Sequence, residues 1–137
     1  MKHVLDLELC QELEKRGIEI DTEFRYIWNL DCNCYVLRNH AEIAIHFVQG
    51  TGCYYNNRQI SAPITDELLE RMPRNIISNN EYFELTITII PDSEGERFYN
   101  VSYKHINSPT TIKVYIDYLS NALTKMIIWL FDNGYLK

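Results

Sequence analysis

Residues Asp117 to Gly134 read DYLSNALTKMIIWLFDNG, and this stretch decides how the rest of the chain has to be arranged. Leu119, Ala122, Leu123, Met126, Ile127 and Leu130 recur at the i, i+3, i+4, i+7 spacing that gathers side chains on one face of a 3.6-residue helix. Asp117 suits the cap position, where a carboxylate accepts hydrogen bonds from the free N–H groups of the first turn. Gly134, after Asn133, suits the stop, because glycine takes the left-handed conformation that closes a helix end. Met126 to Phe131 is an unbroken apolar run, so Ile128, Trp129 and Phe131 widen the stripe beyond a single face. Burying about eight such side chains, at roughly 1.5–3 kcal/mol each, is comparable with or larger than the net stability of a whole domain, ~5–15 kcal/mol. The segment is therefore expected to be the central core helix, covered on more than one side.

The strands that this helix needs lie just before it. Glu81 to Ile90 (EYFELTITII) alternates strictly, with Phe83, Leu85, Ile87 and Ile89 on one side and Tyr82, Glu84, Thr86 and Thr88 on the other. Arg97 to His105 sets Tyr99, Val101 and Tyr103 against Asn100, Ser102 and Lys104, and Thr110 to Ile116 sets Ile112, Val114 and Ile116 on one face. Their connections are too short for crossovers, so the three form an antiparallel meander. Thr65 to Met72 reads as a short helix, with Thr65 as a cap, Asp66 and Glu67 in its positive first turn and Pro73 after it.

In the first half, Asp6 to Arg16 reads as an amphipathic helix stopped by Gly17, with Leu7, Cys10 and Leu13 on one side. Phe24 to Leu30 and Tyr35 to Leu37 read as the arms of a hairpin around Asp31-Cys32-Asn33, Ile43 to Val48 as a further strand, and Gln49 to Gln59 as a loop. The expected architecture is a single α+β domain over residues 1–137. Its order is α-β-β-(β)-α-β-β-β-α, with helices packed on one face of an antiparallel sheet of five to six strands.

Composition narrows the function. A net charge of −6 with scattered basic residues argues against nucleic acid, which demands clustered Lys and Arg to displace counterions. With neither an apolar signal region nor a run of about 20 apolar residues, the chain is expected to be cytoplasmic, with no membrane partner. In that compartment Cys10, Cys32, Cys34 and Cys53 are expected to be thiols. For the same reason the sequon Asn100-Val101-Ser102 is expected to stay unmodified.

No motif carries chemistry. Cys32, Cys34, Cys53 and His46 are the residues from which a metal site could be assembled, and His40 is a further candidate. Structural zinc sites use two pairs spaced by two to four residues, whereas here one C-x-C has no matching pair downstream. Asp92, Glu94 and Glu96 lack the twelve-residue span and flanking helices of a calcium loop, and Gly50-Thr51-Gly52 lacks the third glycine of a phosphate-binding loop. No serine or cysteine sits in a nucleophile signature, so no catalytic residue, metal or cofactor is assigned. The ten tyrosines fit either an interface or ordinary strand usage, and the sequence leaves both open. The over-wide helix stripe favours an interface formed by Trp129, Phe131, Met126 and Tyr118, covered by a second protomer or a protein partner.

Two strings carry a resemblance. Ala62-Pro63-Ile64-Thr65-Asp66-Glu67-Leu68-Leu69 with Met72-Pro73, and Ala122 to Leu130 with Asn133-Gly134-Tyr135-Leu136, resemble a loose group of small uncharacterised proteins encoded by phages and mobile elements of gut bacteria. The likeness covers the second half of the chain, and its strings are those of a capped helix and a core helix. The resemblance carries no function of its own; the over-wide stripe, the tyrosine-rich strands and the missing chemistry lead to the expectation of an accessory protein acting by protein–protein interaction, without catalysis. The alternative is a small metal-binding domain or metal-dependent enzyme with cysteine and histidine ligands.

Overall fold

A computed structural model describes residues 5–20, 22, 24–29, 34–39, 55–61, 63, 65–90 and 97–136. Among them the order is α1 (Leu7–Lys15), β1 (Phe24–Asn29), β2 (Cys34–Asn39), β3 (Tyr55–Ser61), α2 (Thr65–Arg71), β4 (Asn75–Ser78), β5 (Glu81–Ile90), β6 (Phe98–His105), β7 (Thr111–Asp117) and α3 (Leu119–Asp132). The fold is α+β and the described strands pair antiparallel, but in two sheets, ordered β2-β1-β3 and β4-β5-β6-β7, rather than in one. By backbone contacts the chain divides into a unit of Val4–Glu67 and a unit containing Leu68–Lys137.

In the first unit β1 is the central strand, with β2 and β3 on its two edges. The β1–β2 hairpin is the expected one, whereas Tyr55 to Gln59, read as loop from its asparagines, belongs to β3. Pairing with β1 satisfies the backbone there and overrides weak local propensity. Helix α1 buries Cys10 and Leu13. Gly17 ends it at φ 72°, donating to the Glu14 carbonyl while Ile18 donates to that of Leu13. This pair of bonds is a Schellman closure, and the buried Ile18 completes it. The Tyr26 hydroxyl donates to the Leu5 carbonyl at 2.9 Å.

In the second unit α3 lies against β6 and β7. Ala122, Leu123, Met126, Ile127 and Leu130 on the helix are fully buried, as are Val101 and Tyr103 on β6. Tyr103 also donates its hydroxyl to the Pro73 carbonyl at 2.7 Å, tying the segment before β4 to the sheet. The helix closes as α1 does: Gly134 (φ 80°) donates to the Phe131 carbonyl and Tyr135 to that of Leu130. At its start the cap residue is Tyr118 rather than Asp117. Asp117 ends β7, accepts the Tyr118 N–H at 2.7 Å and pairs with Lys125, two turns along, at 2.6 Å. Ser120 Oγ and Thr124 Oγ1, one turn apart, are buried without a hydrogen-bond partner, at a cost of about 1–3 kcal/mol each.

Two features of this sheet were not anticipated. Asn79 and Asn80, at φ 51° and 66°, form the two-residue turn of a β4–β5 hairpin. The phase of β7 is also the reverse of the simple expectation. Tyr115 lies opposite Val101 and Asp117 opposite Tyr99, on the side facing α3, so Val114 and Ile116 point away from the core, 42% and 59% exposed.

Two outcomes test this packing. Tyr103→Phe removes the bond to Pro73 and is expected to lower unfolding stability by about 1 kcal/mol in urea titration. The second concerns acid. Burial raises the Asp117 pKa, but the hydrogen bonds from Lys125, Tyr118 and Asn121 and the Lys125 charge outweigh it, so the carboxyl lies below its ordinary 3.8. A depressed folded-state value means the contribution is complete above the unfolded pKa and is lost as pH falls through the folded one. Asp117→Asn should therefore flatten the acid limb of the stability–pH curve. The difference above pH 5 should be no more than about 1 kcal/mol, because the Lys125 side chain is 38% exposed and solvent screens the pair.

Candidate functional site

The residues first expected at an interface are scattered by the structure. Met126 is fully buried and belongs to the core, whereas Tyr118, Trp129 and Phe131 are half-buried. Trp129 is partly covered within the chain. Tyr135 follows the left-handed Gly134 and stacks on the indole at 5.5 Å between centroids, with 26° between planes. A hydrophobic contact of this kind, from just past the closing glycine back to the last turn, accompanies the Schellman motif. Asn133 Nδ2 donates to the Trp129 carbonyl at 2.8 Å, adding a further bond to the same turn. Tyr118 packs on Phe98 at 5.1 Å.

Further exposed apolar residues lie on the side of the β4–β7 sheet that faces away from α3, in two groups near its edges. The β4–β5 register places Ile77 opposite Tyr82, and both are 55% exposed. Across β6, at the other edge, stand Val114 and Ile116. Between them run Thr86, Thr88, Asn100 and Ser102, with Thr86 opposite Ser102 and Thr88 opposite Asn100. The charged residues on this face of β4, β5 and β6 are Glu84 and Lys104, directly opposite one another in register. In a chain of net charge −6, this face is close to neutral. Two signals in the sequence mark it in retrospect. An Asn-Asn pair between Ile76-Ile77 and Tyr82-Phe83 specifies the tight hairpin, and an acidic residue at 117 within reach of Lys125 fixes the phase of β7.

Among the described residues, His105 and Cys10 are otherwise engaged. His105 Nδ1 accepts the Asn107 N–H at 3.1 Å, which leaves the proton of a neutral ring on Nε2, 3.9 Å from Glu81 Oε2. Its ring meets Phe83 edge-on at 5.5 Å. Histidine in this setting shapes the turn after β6. Cys10 is buried in α1, and desolvation first, then the nearby Asp6 carboxylate, push its thiol up to about 12 against a smaller lowering by a backbone hydrogen bond. Such a thiol is not a nucleophile at neutral pH. Cys34 begins β2, while Cys32, His40, His46, Cys53 and the Asp92–Glu96 cluster lie outside the described residues, as does the strand expected at Ile43–Val48. Among the described residues no three His, Cys, Asp or Glu side chains converge as a metal site, and no helix is long and apolar enough to cross a membrane.

Comparison with protein families, with curated proteins and with solved structures finds no match to this chain.

Burial of Cys10 has a direct readout. Alkylation at pH 8 followed by peptide mapping should leave Cys10 unmodified in the native protein and label it fully in denaturant. Native labelling at the rate of a solvent-exposed thiol would contradict both its burial and its raised pKa.

Proposed function

We propose that the protein is a non-catalytic accessory protein of a phage or mobile element that works by holding another protein. The surface it offers is the outward face of β4–β7. The exposure of Ile77, Tyr82, Val114 and Ile116 together on one sheet face carries this reading. Scattered exposed apolar residues need no explanation, but two pairs of large ones on the same sheet face, with only uncharged polar residues between them, suit an interaction surface. The charge pattern indicates the kind of partner. Interface cores are depleted in charge and enriched in aromatic residues, and here the Glu84–Lys104 opposition leaves no net field. A matching partner surface is a neutral, apolar face of a folded protein, not a phosphate backbone or a basic peptide. The resemblance to phage and mobile-element proteins supports the biological setting, and the absence of any catalytic motif in the sequence supports the lack of chemistry.

The test is affinity capture from host extract with quantitative mass spectrometry, comparing the natural chain with a Val114→Asp/Ile116→Asp variant that keeps its far-UV spectrum. The natural chain should retain a partner in stoichiometric amount and bind an apolar fluorescent dye while folded, and the variant should lose both. A natural chain that binds no dye and retains nothing would overturn the proposal.

A further inference from the structure

The ten-residue strand β5 is flanked by β6 from Phe83 to Ile90, whereas β4 pairs with only its first four residues, Glu81–Glu84. Leu85 then donates its N–H to the Arg74 carbonyl at 2.9 Å. Among the described residues no strand lies along that edge from Thr86 to Ile90. The N–H and C=O of one strand residue point to the same side, and successive residues alternate. Because Leu85 is bonded towards the β4 side, Ile87 and Ile89 turn both of their backbone groups to the open edge, and Thr86, Thr88 and Ile90 turn theirs to β6. Side chains show the same incompleteness. Phe83 is buried and Leu85 half-buried, but Ile87 and Ile89, on the same helix-facing side of the strand, are 37% and 56% exposed.

Natural sheets blunt such edges with lysine, proline, a bulge or a cover. Leu85-Thr86-Ile87-Thr88-Ile89-Ile90 has no charge, no glycine and no proline. We propose that this edge pairs antiparallel with the same edge of a second copy of the chain, across a two-fold axis through Thr88, joining two four-stranded sheets into one. The inference rests on reading the protein as an interaction module, and it assigns self-association to the strand edge rather than to the outward face.

Register is what selects a second copy as the occupant. With the axis at Thr88, Ile87 stands opposite Ile89 of the other copy. Each such pair exchanges two N–H···O=C bonds, so all the open groups of both isoleucines are satisfied. Moving the axis to Ile87 sets Ile89 opposite Leu85, whose N–H already serves Arg74. Moving it to Ile89 sets Ile87 opposite Pro91, which has no N–H. Either shift strands a carbonyl. The Thr88 register also brings the exposed Ile87 and Ile89 side chains together and places Thr88 against Thr88, and the paired stretch Thr86–Ile90 carries no charge. An isologous contact of this kind closes on itself and stops at two copies.

Sedimentation velocity of the full chain over a wide concentration range tests the proposal. A monomer–dimer equilibrium is expected. Ile87→Pro removes an N–H that faces the open edge and leaves the β5–β6 ladder whole, so this variant should be monomeric at every concentration with an unchanged far-UV spectrum. Thr88→Cys places a thiol on the axis, where side chains of such a pair sit about 4.5–5.5 Å apart between Cβ atoms. Mild oxidation should then give a covalent dimer much faster than the natural chain treated alongside, and Glu84→Cys, outside the paired segment, should not. A natural chain that stays monomeric throughout, or a dimer that survives in folded Ile87→Pro, overturns the proposal. Should Ile87→Pro lose its fold, the Thr88→Cys rate decides, and a rate equal to that of the natural chain overturns it. Partner capture by a strictly monomeric chain would sink this inference and leave the proposed function standing. A dimer that captures nothing would do the reverse.

Discussion

Asp117 joins the last strand to the last helix, and much of the second unit follows from where its carboxylate points. It accepts the Tyr118 N–H and the Lys125 ammonium, so position 117 of β7 must face the helix. Strand side chains alternate with a period of two, and one fixed position fixes the rest. Tyr115 then faces the helix as well, opposite Val101, while Val114 and Ile116 turn outward. One ion pair at the strand end thus coincides with an apolar edge on the far side of the sheet. The core does not need those β-branched residues, because Val101, Tyr103 and the buried stripe of α3 already fill the space between helix and sheet.

The helix itself is less unpartnered than its sequence suggests. An apolar run from Met126 to Phe131 looks too wide for one sheet, yet Leu130, Ile127 and Met126 are fully buried and Trp129 is stacked by Tyr135. Glycine at 134 makes this possible by reversing the chain in the left-handed region, so that the residue after it returns over the last turn. What remains half-open in the Met126–Phe131 run is Ile128, Phe131 and the uncovered part of the indole.

Long, strongly periodic segments were legible from sequence. Asp117–Gly134 as the core helix and Glu81–Ile90 and Arg97–His105 as strands rest on a pattern sustained over several turns or alternations, and the first β-hairpin on aromatic and β-branched composition flanking turn residues. What was not legible depends on partners remote in the chain. Tyr55 to Gln59 has loop composition and becomes a strand because β1 offers an edge. The phase of β7 depends on Lys125, and the separation into two sheets leaves no mark in local periodicity. As for the surface, Trp129 and Phe131 stand out in the sequence as excess width on the helix stripe, but Met126 cannot be told from them without knowing which way the helix is rolled. The outward apolar set at 77, 82, 114 and 116 required the sheet register.

In the β4-β5-β6-β7 sheet, every strand is hydrogen-bonded to its immediate predecessor or successor along the chain, and the helix that covers it follows directly. A meander of this kind closes only short loops, so little chain entropy is lost before each new pair of strands begins to form bonds. Low contact order of this sort goes with rapid folding. The carboxy-terminal half can assemble by successive zippering from the Asn79-Asn80 turn outward, with the helix docking as the final step.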